Sequence, residues 1–377
     1  MVLLKTTFAL LSVLATLSPA VDARSSLTRR RCRATTGSGG GADGNGGVIN
    51  VGDKPTSTPD DGPDPTSTDD KPAQTGSNPG KPSTSGGCFP SANFNTPDSP
   101  KGISVDDWWC SRTSEYAFMG FSFAVDACPS TSSMTNSFKQ MKNDYNARYV
   151  RLYGACDRNG FTSDVVDAAY EAGVGIYALV WFGFTGGNKW KDRLEDIVSA
   201  VQSNSKAPYV IRNIAIGSEA LFDNAISASN LVSQVNQLKD RLGDAQNVLN
   251  AVDNVQLNIL PFFSGQATTG GNARGNVMGD LNRMADATGN KKKVVTTQCG
   301  WPSNDKVWKA NSRSAVASVS SEKAFYDLLD DMCPDMKDGP DGGFGWFAHI
   351  WDDNGLPGWG ITSGGNPKFD FKARTKC

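Results

Sequence analysis

The sequence has little of the residue types on which several large classes of enzyme depend. Its 377 residues include a single histidine, His349, and no Cys-x-x-Cys pair. This argues against multi-histidine and cysteine-rich zinc sites, and against most serine and cysteine catalytic triads. No glycine-rich phosphate loop follows the first predicted strand, so a dinucleotide-binding fold is also disfavoured. We therefore expect neither a metal nor an organic cofactor.

Long hydrophobic runs are scarce as well. The one near the start, residues 8–17, follows Lys5 and precedes a small-residue pattern that ends at Ala23, which is typical of a secretory signal peptide. It is too short to span a bilayer, which needs ~20 apolar residues, and no later run approaches that length. No hydrophobic tail follows Cys377. We expect residues 1–23 to be a signal peptide, and the protein to be extracellular or in the cell wall without a membrane anchor.

Apolar residues are nearly absent from residues 24–87, which are rich in Gly, Pro, Ser, Thr and Asp. Such a segment cannot bury enough surface to offset its ordering entropy, so we interpret it as a propeptide and disordered linker. Its Ser/Thr/Pro stretches suit either an O-glycosylated spacer or a bare linker. Residues 29–31, three arginines, form either a processing site or a basic patch. Residues 88–377 are then the folded domain.

Strong net charge is another absence. The formal charge at pH 7 is −2, which gives no general attraction to nucleic acid, and we expect none as a partner. The cysteine count is even, and an even set in an oxidising compartment predicts disulfides whose pairing the sequence does not choose. Cys377, as the last residue, would gain most from a bond, and Cys299 is also expected in one. The eight cysteines are Cys32, Cys88, Cys110, Cys128, Cys156, Cys299, Cys333 and Cys377.

What the domain does contain is an alternation of short apolar runs and amphipathic stretches. Eight runs read as strands, and most are followed by a helical stretch, which favours a parallel sheet with helices outside. Eight strands over ~270 residues suit a closed (β/α)8 TIM barrel better than an open sheet. The predicted strands are residues 117–125, 148–154, 175–182, 210–217, 247–252, 255–263, 294–298 and 342–351. The predicted helices are residues 134–145, 164–172, 190–203, 228–242, 276–288 and 322–333.

Glutamate is rare, with only five in the chain, and this narrows the search for a catalytic acid. Glu171, Glu195 and Glu322 lie on predicted helices, where we expect them on solvated faces. Glu115 precedes the first strand. Glu219 alone follows a barrel strand at its C-terminal end, where catalytic groups of such barrels lie. We therefore expect Glu219 to be catalytic or ligand-binding, with a structural ion pair as the alternative.

Other polar and aromatic side chains collect at the same strand ends. A groove lined by aromatic rings with a few polar groups suits an oligosaccharide, because sugar rings present apolar C–H faces. Taken singly, each aromatic is better explained by the core than by ligand contact. The residues expected to bind substrate are Tyr153, Ser218, Phe262, Trp301, His349 and Asp352. The other side chains at these ends are Asp126, Asp157, Trp181, Phe182, Phe263, Gln298, Trp346, Trp351 and Asp353.

The motifs that carry these residues resemble glycoside hydrolase family 17, the β-1,3-glucanase-like barrels. "IAIGSEAL", "NILPFFSG" and "VVTTQCGWPSN" occur in the family's order and spacing, and "GFSFAVDAC" and "VRLYGACD" resemble its fungal branch. The resemblance covers residues 118–359. It implies a retaining glycosidase acting on cell-wall β-glucan, with Glu219 as acid/base and Gln298 at the nucleophile position. A β-glucan or related cell-wall polysaccharide is thus the expected partner, and we expect a monomer.

Several positions depart from the family's pattern. Gln298 is not an acid. Ser218 stands where asparagine is common, and His349 falls near a position where a carboxylate is common. The helix between the fifth and sixth predicted strands looks deleted, since only Asp253 and Asn254 separate them. These changes surround the same pocket and therefore weaken any transfer of activity.

The glutamine damages a retaining mechanism in two ways. An amide is neutral and a poor nucleophile, so the covalent intermediate should not form. The missing charge should also leave Glu219 more readily ionised, unless burial compensates. Cys299 should face away from the cavity, because neighbouring strand residues point to opposite faces. Asp352 or Asp353 activating water, as in an inverting enzyme, and His349 acting as a base remain alternatives.

Two classes of function therefore stay open. In one, the protein recognises β-1,3-glucan with impaired or altered catalysis. In the other, it is an active glucan endo-1,3-β-glucosidase or transglycosylase with a modified mechanism. The amide of Gln298 can still hydrogen-bond sugar hydroxyls through its carbonyl and its NH₂, so binding is compatible with both.

Overall fold

The computed structural model describes residues 87–377, apart from residues 93, 185–186, 243–253 and 267–268. The expected signal peptide, the arginine-rich processing site and nearly all of the linker lie outside the described residues. So do Cys32, the predicted strand at residues 247–252 and most of the connection after it. In the part of the chain that is described, no helix has the length and hydrophobicity needed to cross a membrane.

Seven parallel strands form one sheet in the described part of the chain. They are β1 (Ala117–Ala124), β2 (Tyr149–Tyr153), β3 (Gly175–Val180), β4 (Ile211–Ile216), β5 (Asn254–Ile259), β6 (Lys293–Cys299) and β7 (Gly345–Ala348). A two-stranded hairpin follows, β8 (Thr362–Ser363) and β9 (Asn366–Pro367).

The strand order in the sheet is β4-β3-β2-β1-β7-β6-β5. The edge strands β4 and β5 lie close together, as hydrogen bonds between them show: the Asn213 amide donates to Asn254 Oδ1 at 3.1 Å and accepts from Gln256. The sheet is therefore a nearly closed barrel, which confirms the TIM-barrel-like α/β prediction.

Helices follow the strands as the alternation predicts, and all six predicted helices are present. They are α1 (Thr131–Tyr145), α2 (Phe161–Ala172), α3 (Lys189–Ser203), α5 (Ala228–Arg241), α6 (Arg274–Ala287) and α7 (Val319–Asp331). Two short helices were not predicted, α4 (Ala207–Val210) and α8 (Cys333–Lys337). Hydroxyl caps start two of the long helices: Ser130 Oγ accepts from the Ser133 N–H, and Ser318 Oγ from the Ser321 N–H.

Two predicted strands extend three or more residues beyond the observed strand at one end. The strand predicted at 255–263 ends at Ile259, because Pro261 has no N–H to donate and begins a 3₁₀ turn, Pro261–Phe263. The strand predicted at 342–351 begins only at Gly345. Gly342 and Gly343 have φ of 86° and 92°, which is a turn conformation rather than a strand.

The barrel interior is filled at its N-terminal half. Met119, Tyr149, Tyr177, Val295 and Phe347 form one buried cluster, and each comes from a different strand. The Tyr177 and Phe347 rings lie 5.0 Å apart although β3 and β7 are not neighbours in the sheet, so they meet across the interior. Below them, buried Glu115 pairs with Arg212 at 2.7 Å. The N-terminal end of the barrel is therefore closed, and any opening into the interior lies at the C-terminal ends of the strands.

Three disulfides join described residues: Cys88–Cys110, Cys128–Cys156 and Cys333–Cys377. The last confirms that the final residue is tied down. The expectation that Cys299 forms a disulfide is wrong, since its thiol is free. Cys299 lies in the core cluster that includes helix residues, and burial raises the pKa of this thiol strongly. An inert buried thiol of this kind behaves as a small hydrophobic residue.

The exposure of the helical glutamates was also partly mispredicted. Glu171 and Glu195 are exposed, as expected, and pair with Lys139 and Arg241. Glu322 is fully buried instead, and its Oε2 lies 2.9 Å from Lys368 Nζ. The C-terminal segment packs over that face of α7, which a helical period alone does not reveal.

Candidate active site

A β-bulge turns Gln298 into the barrel. On β6, Thr296 pairs with Leu257 and Gln298 with Asn258, so Thr297 is an extra residue in that strand. One extra residue reverses which side chains face inward, and bulges are common beside active sites. Val295 faces the interior cluster, and after the bulge Gln298 lies at the mouth while Cys299 joins the outer core. The bulge thus explains why Gln298 faces the barrel mouth and Cys299 faces away from it, as expected.

Ser218 is the meeting point of the site. Its Oγ accepts a hydrogen bond from Gln298 Nε2 at 3.2 Å and another from Arg151 Nη2 at 3.0 Å. With two lone pairs engaged, the hydroxyl proton of Ser218 stays available to a ligand. The structure therefore brings the nucleophile position and the residue before the acid/base position into contact, at the ends of β6 and β4.

A tight turn places Glu219 at the mouth. Gly217 has φ of 89°, and a Cβ there would lie 2.7 Å from Ala220 Cβ and 3.1 Å from the Phe182 ring. Glu219 itself has φ of 56°, in the left-handed region that costs a non-glycine residue conformational energy. Its carbonyl accepts from the Asp223 N–H at 2.9 Å. The chain thus leaves β4 sharply and carries the carboxyl group over the barrel opening.

Asn258 links Glu219 to Thr297, the residue before Gln298, and sequence reasoning missed it. Its Oδ1 accepts from Thr297 Oγ1 at 3.1 Å, and its side chain hydrogen-bonds to Glu219. Because the carbonyl oxygen is engaged by Thr297, the NH₂ group is the natural donor to the carboxylate. Its only signal in the sequence is its place inside the motif "NILPFFSG".

The pKa of Glu219 is raised, and burial is the largest cause. The hydrogen bond from Asn258 lowers it in part, the Asp223 charge raises it further, and Arg151 lowers it. Burial thus acts in the direction that favours the protonated carboxyl group, the form that a general acid requires.

Arg151 is a buried cation without a carboxylate partner among the described residues. Its side chain is on β2 and the residue is 2% exposed, and its Nε and Nη1 atoms have no hydrogen-bond partner. Burial lowers its pKa to about 10, while Tyr153 and Glu219 act in the opposite direction. The guanidinium thus faces the neutral amide of Gln298 across Ser218. Arg151 too was missed, although it lies in the motif "VRLYGACD".

Tyr153 lies among the charged groups of the mouth. Burial raises the pKa of its phenol to about 12, Arg151 lowers it, and Asp126, Glu219 and Asp223 raise it. The phenol therefore stays protonated and is a hydrogen-bond donor rather than a nucleophile.

His349 stands against Tyr153, with ring centroids 5.0 Å apart, and is 2% exposed. Burial lowers its pKa to about 3, and the Arg151 charge contributes. An imidazole with this pKa is neutral and a weak base near pH 7, which removes the support for His349 as a general base.

The two aspartates after β7 are engaged in their own loop. Asp352 accepts from the Asn354 and Gly365 N–H groups and from Thr362 Oγ1 at 2.7–2.9 Å. Burial alone would raise its pKa, but these hydrogen bonds outweigh burial and hold the pKa below its usual value. Asp353 accepts from the Gly358 and Gly360 N–H groups. Neither arrangement favours the activation of water.

Phe262 and Trp301 lie behind the site rather than in its opening. Both are buried, their rings are 5.4 Å apart, and the Trp301 indole N–H donates to the Val316 carbonyl at 2.8 Å. The structure therefore brings Tyr153, Ser218, Glu219 and Gln298 together, whereas the rings of Phe262 and Trp301 are buried against each other. They form a wall between the strand ends and α7.

Comparison with known proteins defines the class. Residues 120–360 match the BtgE/BtgC glycoside hydrolase domain, and the chain belongs to this family. It is 24% identical over 266 residues to a probable family 17 glucosidase, SCW10, of Saccharomyces cerevisiae, covering 63% of this chain and 61% of that protein. It is also 24% identical to a probable glucan endo-1,3-beta-glucosidase, btgC, of Aspergillus flavus, covering 58% of this chain and 35% of that protein. The chain thus spans less than two thirds of these relatives.

Solved structures are more distant. A Parabacteroides merdae beta-glucuronidase aligns with 70% of this chain and 36% of its own, at 13% identity and a TM-score of 0.45. A Ruminococcus gnavus beta-glucuronidase aligns with 67% of this chain and 48% of its own, at 12% identity and the same TM-score. Likeness at this level does not bear on function.

Proposed function

We propose that this family 17-like protein is secreted and recognises cell-wall β-1,3-glucan, with impaired or altered catalysis at Gln298. The observation that carries the proposal is the amide of Gln298 at the nucleophile position, held by Ser218 beside the unpaired guanidinium of Arg151. The relatives described as family 17 and endo-1,3-beta-glucosidases support the choice of glucan. The expected signal peptide and the three disulfides support secretion.

The impairment follows from the chemistry of retention. Two carboxyl groups ~5–5.5 Å apart are needed, one to attack the anomeric carbon and one to protonate the leaving oxygen. Glu219 supplies the second, and its raised pKa suits that role. Gln298 supplies no charge and no usable nucleophile. Its NH₂ is engaged by Ser218, which leaves its carbonyl oxygen to accept a hydrogen bond from a sugar hydroxyl.

The second candidate is an active endo-1,3-β-glucosidase or transglycosylase that uses a modified mechanism. The raised pKa of Glu219 favours it, because the acid half of the reaction is preserved. The activation of water is the difficulty for this candidate, since Asp352 and Asp353, the residues considered for it, are engaged by backbone N–H groups.

The decisive experiment compares the natural full-length protein with its Gln298→Glu variant on a β-1,3-glucan. We measure reducing-sugar release and, separately, retention of the protein on the insoluble glucan. The natural protein should bind and release no sugar, whereas Gln298→Glu should cleave. A Glu219→Gln/Gln298→Glu double variant is the control and should be silent, because its acid is missing.

Two results would oppose the proposal. Release of sugar by the natural protein would show that the site is active with its glutamine, and would favour the second candidate. Absence of glucan binding by both the natural protein and Gln298→Glu would show that β-1,3-glucan is not the ligand.

A further inference from the structure

Asp223 lies on the same turn as Glu219, four residues further along the chain. Its backbone N–H donates to the Glu219 carbonyl at 2.9 Å, and the Ala225 N–H donates to the Ala220 carbonyl at 3.0 Å. Backbone hydrogen bonds of this kind wind the chain into a compact turn, in which residues four apart lie near each other. Asp223 and Glu219 therefore leave β4 together, at the mouth of the barrel.

The carboxyl groups of Asp223 and Glu219 also act on the same neighbour, Tyr153 at the end of β2. The negative charges of both raise the pKa of the Tyr153 phenol, and the Asp223 charge raises the pKa of Glu219 itself. Because the interaction between charges weakens with distance, these mutual effects indicate that the three side chains form one cluster.

Asp223 is the ionised member of this cluster near neutral pH. It is half-buried, no lysine or arginine among the described residues pairs with it, and burial is the cause of the raised pKa of its carboxyl group. An aspartate ordinarily ionises at lower pH than a glutamate, so Asp223 loses its proton first. Its negative charge is then not neutralised by a cation, and it acts on Glu219 in full.

The other groups around Glu219 are neutral near pH 7 or act in the opposite direction. The neutral ones are Gln298 on β6, Tyr153 on β2 and His349 after β7. The guanidinium of Arg151 and the hydrogen bond from Asn258 both lower the pKa of Glu219. Asp126, after β1, acts on Tyr153. Among the described residues, Asp223 is thus the negative charge that favours a protonated Glu219.

We propose that Asp223 is a positioning residue that holds the acid proton on Glu219, in the electrostatic role that the nucleophile carboxylate has in a retaining enzyme. This rests on the proposed function, in which Gln298 stands at the nucleophile position without a charge. Two like charges close together are unfavourable, so an ionised carboxylate beside the acid keeps the acid protonated. Asp223 lies on the acid's own turn and not at the end of β6, so it preserves the acid without restoring a nucleophile.

The test follows the titration of Glu219 in the full-length protein by carbon-13 NMR. The chain has only five glutamates, so labelling their carboxyl carbons gives few signals, and Glu219→Gln identifies the signal of Glu219. In Asp223→Asn we expect the titration midpoint of Glu219 to move to lower pH, because the charge is removed while the size of the side chain is kept. Asp223→Glu keeps the charge and should restore a midpoint near the natural one.

The matched control is Asp327→Asn, which also removes one negative charge. Asp327 is exposed on α7 and pairs with Lys323, so its replacement should leave the midpoint of Glu219 unchanged. Circular dichroism checks that each variant is folded.

The outcomes separate this inference from the proposed function, because the titration requires neither glucan nor turnover. Equal midpoints in the natural protein and Asp223→Asn would overturn the role of Asp223 and leave glucan recognition standing. Equal shifts in Asp223→Asn and Asp223→Glu would assign the effect to the shape of the turn, and would overturn that role as well. Absence of glucan binding, with the midpoint shifted as expected, would oppose the proposed function alone.

Discussion

Glutamine and glutamate have almost the same size, so a glutamine at the predicted nucleophile position, Gln298, would change the charge of the site far more than its shape. Arg151 is a buried guanidinium beside it, with two nitrogens lacking partners. Burying a charge away from water costs several kcal/mol of free energy unless an opposite charge offsets that cost. The site therefore tolerates a locally unfavourable arrangement.

One prediction concerns the coupling between Arg151 and Gln298. Both donate to Ser218 Oγ, so a carboxylate introduced by Gln298→Glu should pair with the guanidinium. In a double-mutant cycle with Arg151→Met, unfolding by urea should show a favourable coupling of about 1–3 kcal/mol. A parallel cycle with Gln298→Met, which adds no charge, should show a coupling near zero. Additive effects in both cycles would contradict the ion pair.

At the scale of elements, two irregularities build the site on a regular barrel. The bulge at Thr297 turns Gln298 inward, and the turn after β4 carries Glu219 over the mouth. Asn258 ties these two elements together through Thr297 and Glu219. The strands thus supply a rigid frame, and the short irregular segments supply the direction of each functional side chain.

The turn after β4 predicts a large effect of a small substitution. Gly217→Ala places a Cβ 2.7 Å from Ala220 Cβ at a φ of 89°, so we expect a loss of about 1–3 kcal/mol in the free energy of unfolding. In the Gln298→Glu background it should also lower glucan cleavage, because Glu219 is displaced. Gly275→Ala on α6 is the control: its Cβ meets nothing within 4 Å, and it should be neutral or stabilising. Equal stability of the two variants would refute the steric argument.

At the scale of the whole molecule, the C-terminal segment completes the fold. Cys377 is bonded to Cys333, and Lys368 pairs with the fully buried Glu322 of α7. Burial raises the pKa of Glu322 to about 8, an effect larger than the opposing one of Lys368. The N-terminal end of the barrel is closed by the ion pair of Glu115 and Arg212. The charged groups at that end therefore stabilise the barrel, whereas those at the C-terminal end form the candidate site.

The buried carboxyl predicts how stability varies with pH. Glu322 binds its proton in the folded state up to about pH 8, whereas the unfolded chain releases it near 4.5. Its contribution to the free energy of unfolding is thus fully present below pH ~4.5 and falls as pH rises to about 8, by something on the order of 5 kcal/mol. Urea unfolding of Glu322→Gln should show a smaller decline over this range than the natural protein.

The control for this prediction is Glu195→Gln. Glu195 is exposed and pairs with Arg241 at the surface, so its replacement should leave the decline between pH 4.5 and 8 unchanged. If Glu322→Gln and the natural protein decline in parallel, the buried carboxyl does not govern this range.

The sequence by itself determined the barrel, because the alternation of strand and helix patterns is local and does not depend on how the strands pair. It also placed Glu219 just after a strand end, and its family resemblance predicts Gln298 at the nucleophile position. Only the tertiary structure decided that Cys299 is free, that Glu322 is buried under the C-terminal segment, and that Arg151 faces the amide. These three features depend on contacts between residues of different strands and on contacts of the C-terminal segment with the barrel. Within β6, one extra residue decides which side chains face the interior, and a local pattern does not record it.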